Sequence, residues 1–144
     1  MTSLIESQRR RLLRHGFTFL FIALWLGIAT IVLPHARARR ATHITALLTG
    51  FVLAAIGLAW RELRLTVRQR AVGFACGLTS AYAGLASGIF TAVYDLPGPA
   101  SHHGVAPPMP QALVFFALLA IVVPTTLVAF GLAMYGMRGE TPDQ

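Results

Sequence analysis

Four long uncharged runs fill most of this chain and leave it few possible folds. They cover 16–33, 44–60, 71–94 and 112–137. Each reaches or approaches the roughly 17–25 apolar residues that a helix needs to cross a bilayer. The pattern predicts an all-α fold, an integral-membrane four-helix bundle. Its helices are expected at about 16–33, 43–62, 71–94 and 111–137. The chain has 144 residues, of which 56% are hydrophobic and 12% charged. A soluble domain would carry about twice that charge fraction. No room remains for a separate soluble domain, so one membrane domain spanning 1–144 is expected. Its thin core favours association into an oligomer.

Residues 1–16 are polar and basic, and the first apolar run is too long for the core of a cleavable signal. The stretch 1–15 reads as a short amphipathic or frayed lead. The 95–110 segment holds five of the eight prolines and two histidines, so it reads as a loop on the far side, a possible lid. Thr42 is placed to cap the second helix. The segment 61–64 is expected to continue that helix beyond the membrane. Pro124 lies in the middle of the fourth run and predicts a kink.

The net charge of +7 comes from arginine alone. Nine arginines fall in the N-terminal segment, the second connection and the tail, and three (Arg37, Arg39, Arg40) in the first connection. That bias predicts both termini in the cytoplasm, with the chain in a bacterial inner membrane. No basic surface is interleaved with soluble aromatics, so nucleic acid is not an expected partner. The lone cysteine, Cys76, lies within the third run and reads as a small core residue. None of the four runs contains a carboxylate, which argues against a proton-coupled transporter of the small multidrug type. There is no Walker loop, zinc motif or hydrolase elbow.

The sharpest candidate site is His43, at the head of the second run. An ionisable group at the end of a spanning helix is a functional candidate by default, and a neutral imidazole is a good axial ligand for haem iron. Arg37, Arg39 and Arg40 precede it at the outer boundary, where haem propionates would need charge partners. Spacing alone favours a plainer reading, a capping interfacial histidine with snorkelling arginines. The second run carries small residues below His43, at Ala46, Gly50, Ala54 and Gly57. The third carries Gly73, Gly77, Ser80, Gly84, Ser87 or Gly88, and Thr91. Such stripes allow close helix packing, or they admit a flat cofactor; the pattern alone does not choose. His15 reads as a headgroup anchor. His102 and His103 lack a spaced third metal ligand. Thr45, Thr49 and Tyr82 are hydroxyls at membrane depth, and Thr49 lies about 9 Å below His43 at helical rise. Hydroxyls of this kind either bond to their own backbone or face a substrate.

Several segments together resemble a known family. They are Arg10-Arg11-Leu12-Leu13-Arg14-His15-Gly16, the stretch from His43 to Gly50, Leu58-Ala59-Trp60, Tyr82-Ala83 and Tyr135-Gly136-Met137-Arg138. These are similar to segments of the bacterial hydroxylaminobenzene mutases and the related styrene oxide isomerases. The resemblance runs from Arg10 to Arg138. It implies a membrane isomerase without redox turnover, a homotrimer holding haem b at subunit interfaces. His43 stands at the position of the axial ligand, beside Gly50. Ferric iron would act as a Lewis acid on a small hydrophobic substrate, an epoxide or a hydroxylamine. The chain departs from the family at Thr49 and Gly84, where asparagines are usual, and at Thr45, where mutases often carry glutamate. The isomerases' active-site tyrosine falls near Ser87 and Gly88. Tyr82, Thr45 and Thr49 are the groups left to act in their place. The competing expectation is a non-catalytic membrane protein, a scaffold or a haem-binding electron-transfer subunit.

Overall fold

The computed structural model describes residues 2–32, 36–94 and 109–138, with side chains at 3–29, 40–94 and 109–138. It contains four helices: α1 (Thr2–Val32), α2 (Ala36–Ala59), α3 (Val67–Tyr94) and α4 (Met109–Gly136). All four are long and apolar enough to cross a membrane. The molecule is thus a multi-pass, all-α bundle, as the apolar runs predict. α1 lies along α2 and α3 along α4, while α2 and α3 join the two pairs. The loop at 95–110, the expected lid, falls largely outside the described residues, as do His35, His102 and His103.

Helix boundaries differ from the sequence expectation, each for a local reason. The basic lead is helical from Thr2 and continuous with the first span. Glu6 pairs with Arg9 and Arg10 at helical spacing, which supports an isolated turn. It also accepts from Arg61 Nη2 at 2.6 Å, tying the lead to the far end of α2. Leu12 is buried against the bundle, and buried Trp60 donates from Nε1 to Gln8 Oε1 at 3.3 Å. Hydropathy ends at the arginines, but helix propensity and tertiary contacts do not.

α2 starts at Ala36, so Thr42 is not its cap. Thr42 is buried, and its hydroxyl donates to the Gly88 carbonyl of α3 at 2.8 Å. At its other end α2 stops at Ala59, short of the expected 62. The chain turns there around Arg70, which is 7% exposed. Its guanidinium donates to the carbonyls of Trp60, Leu63 and Leu65. The carbonyls of Trp60 and Leu65 would otherwise be orphaned beyond a helix end, while that of Leu63 also accepts from the Leu65 N–H. Thr66 then starts α3 by a reciprocal cap. Its hydroxyl accepts from the Gln69 N–H, while Gln69 Oε1 accepts from the Thr66 N–H at 2.9 Å. Arg64 N–H donates to the Gly136 carbonyl at 2.9 Å, which brings the end of α4 to the same place. The three arginine-rich segments therefore meet at one end of the bundle. α4 runs as one helix through Pro124, and the Thr125 hydroxyl bonds the Ile121 carbonyl beside it.

Candidate functional site

His43 sits on the face of α2 that meets α1, half-buried. Its Nδ1 lies 2.7 Å from the backbone carbonyl of Ala23, itself fully buried. A carbonyl can only accept, so Nδ1 carries the hydrogen. In the neutral ring the lone pair then resides on Nε2. A second atom set fixes the ring's plane. A Cβ at Gly27 would come within 3.1 Å of His43 Cε1, so the absence of a side chain at 27 gives the imidazole its place. The neighbouring Thr42 bonds Gly88, where a Cβ would approach the threonine methyl to 3.1 Å, and so ties α2 to α3 at this level. His43 is thus held between two helices, with an orienting acceptor of the kind that raises the basicity of metal-ligating histidines.

The small-residue stripe below His43 is a contact with α1. A Cβ at Gly50 would lie 2.9 Å from Leu20, and one at Gly57 would lie 3.1 Å from Leu13. Opposite them, a Cβ on Gly16 would meet the Ala54 nitrogen at 2.8 Å. The face of Gly50 is filled by α1, so the close-packing reading accounts for it and the cofactor reading does not. On α3 the stripe divides. Gly73 meets Leu132 and Trp60, and Gly88 meets Thr42; Gly77 is buried beside a small interior void, and Gly84 has no neighbour within 4 Å of where a Cβ would stand.

Tyr82 is 43% exposed, and its hydroxyl lies 2.7 Å from His15 Nδ1. Its ring stands edge-on to Phe19, with centroids 5.1 Å apart. His15 is therefore not a headgroup anchor. It faces the middle of α3 and forms the polar link between two helices that otherwise barely touch. Phe19 and Ala23 are one turn apart on α1, so Tyr82 and His43 contact α1 about 6 Å apart along its axis. The structure does not bring the two into contact. Thr49 is half-buried on α2 and Thr45 exposed. Neither makes a hydrogen bond among the described residues, unlike Thr18 and Thr91, which bond to their own helices. Their hydroxyls remain open to another partner. Arg40 is exposed, and the side chains of Arg37 and Arg39 lie outside the described residues. Among the described residues no three His, Cys, Asp or Glu side chains converge.

Sequence reasoning singled out His43 as a candidate but did not show what orients it, since a backbone carbonyl carries no residue signature. It also missed the His15–Tyr82 pair and the structural role of Arg70. Only the isolation of Arg70 from any nearby acid hinted at that role.

A multi-pass all-α bundle in which a backbone carbonyl orients the imidazole of His43 defines a small membrane protein with a candidate histidine site. The styrene oxide isomerase family model matches residues 8–138, and the chain belongs to that family. It is also 27% identical over 135 residues to the hydroxylaminobenzene mutase HabB of Ectopseudomonas oleovorans, covering 90% of this chain and 80% of that protein. No solved structure matches the chain. Family and relative together point to isomerase or mutase activity.

Proposed function

We propose that this protein is a haem-b-dependent membrane isomerase that rearranges an epoxide or an aryl hydroxylamine. It would work as a single membrane domain within a homotrimer, in a bacterial inner membrane with both termini cytoplasmic. The observation that carries the proposal is the bond from His43 Nδ1 to the Ala23 carbonyl. It leaves Nε2 as the donor atom of a rigidly held ring, which is what an axial ligand requires. Family membership and the name of the relative support an intramolecular rearrangement.

When bound at His43, the haem iron would supply a Lewis acid for the oxygen of the substrate. The chain's own groups do the rest. His43 would hold the cofactor through Nε2. Thr49 and Thr45, whose hydroxyls make no hydrogen bond among the described residues, would orient a polar group of the substrate. Tyr82, supported by His15, can hold or pass a proton at its phenolic oxygen. Arg40, with Arg37 and Arg39, would pair with the propionates. A small hydrophobic substrate can enter from the bilayer between helices whose outer faces are apolar.

The test is the absorption spectrum of the detergent-purified protein, with haem supplied during expression, for wild type and His43→Ala. The expected result is a Soret band that disappears in the variant, together with turnover of styrene oxide or hydroxylaminobenzene by the wild type. A full haem complement in His43→Ala would refute the ligand assignment. A Soret band without turnover of either substrate class would leave a haem protein and overturn the isomerase.

A further inference from the structure

α3 and α4 enclose a surface groove of about 440 Å³ at the arginine-rich end of the bundle. Val72, Val128 and Leu132 form its apolar walls, and Arg68 and Gln69 lie at its mouth. Gly131 is the floor: it is exposed, and a Cβ built on it would meet no atom within 4 Å. The mouth donates only. Gln69 Oε1 is committed to the Thr66 N–H and hydroxyl, at 2.9 and 3.1 Å, which leaves the amide N–H₂ as the free end of that side chain. Arg68 is exposed, and no ion pair is formed by it among the described residues. No carboxylate lines the groove.

A matching ligand has an anionic, acceptor-rich head and an apolar tail, and is abundant at the membrane surface. We propose that this groove binds an anionic phospholipid. Its phosphodiester sits between Arg68 and Gln69, and an acyl chain lies over Gly131 between Val72, Val128 and Leu132. Charge complementarity selects this occupant over a second copy of the chain. The protein carries twelve basic and five acidic residues. Glu6 is already engaged by Arg9, Arg10 and Arg61. The site lies at the opposite end of the bundle from His43 and does not depend on the catalytic reading.

The experiment is native mass spectrometry of the full-length, delipidated protein, titrated with phosphatidylglycerol and, separately, with phosphatidylcholine. Wild type is expected to retain phosphatidylglycerol in preference to phosphatidylcholine. Arg68→Gln should weaken that binding about tenfold, as loss of a charge-assisted phosphate contact would. Gly131→Phe fills the floor without changing charge and should weaken it similarly. Gly131→Leu serves if the larger ring prevents folding. Arg11→Gln, outside the groove, should bind as wild type. Tight binding by either groove variant overturns the proposal, because affinity would then come from the arginine-rich surface as a whole. A change in oligomeric mass in Gly131→Phe, with lipid binding intact, also overturns it, since the groove would then be a contact between subunits.

Discussion

Glycine lines both helix pairs, yet it does opposite things in them. Between α1 and α2, Gly16, Gly50 and Gly57 sit where a Cβ would meet the partner helix at 2.8–3.1 Å. Phe19, Ala23 and Ala46 are fully buried in the same seam. On the other pair, Gly84 and Gly131 have nothing within 4 Å of where a Cβ would stand. Only 6% of the α4 span is buried, against 22% for α1 and 28% for each of α2 and α3, so the open faces are chiefly those of α4. One seam is a contact built on missing side chains, and the other side of the bundle keeps open faces. Helix association in lipid lacks a hydrophobic drive and depends on packing. The α1–α2 seam therefore carries the fold and places His43, while α3 and α4 leave surface for ligands, lipid or other subunits.

Substitutions can break this contrast. Gly50→Leu should act most strongly, because neither Leu20 nor its backbone can withdraw. Overpacking of about 3 kcal/mol or more is expected, seen as a large fall in the detergent unfolding midpoint. A midpoint near wild type would mean the seam is not tight. Arg70→Ala should come next. It strands the carbonyls of Trp60 and Leu65, each costing about 1–3 kcal/mol when left unbonded. Proteolysis in the α2–α3 connection should accelerate, and an unchanged cleavage rate would remove Arg70 from its capping role.

A smaller effect is expected from the pair that bridges α1 and α3. A double-mutant cycle of His15→Phe and Tyr82→Phe should return a coupling of about 1 kcal/mol. Additive effects would show that the bond does not form in the membrane. Gly84→Ala should be the mildest, within about 0.5 kcal/mol of wild type. A large loss there would show that the open face is occupied in the assembled protein, which would reverse the reading of that side.

The number and placement of spans were legible because hydrocarbon imposes one simple rule on length and polarity. His43 was legible because an ionisable group at that place is unusual. The family was legible from short motifs spread along the chain. The end of the first span was not. Arg9, Arg10, Arg11 and Arg14 stop the apolar run at Gly16, but the helix continues to Thr2 because Glu6 and Gln8 find Arg61 and Trp60 across the fold. Thr42 read as a cap and turned out to be an interhelical donor, since local pattern cannot distinguish the two uses of a hydroxyl.

The sequence by itself determined an all-α bundle with four candidate spans, a charge bias gathered at one end, and a single histidine worth testing. Each follows from composition along one dimension. Tertiary structure decided which small residues are contacts and which are open, which nitrogen of His43 carries its hydrogen, and that His15 faces Tyr82. Those outcomes depend on which helix faces meet, and pairing of faces is set by the packing of residues far apart in the chain.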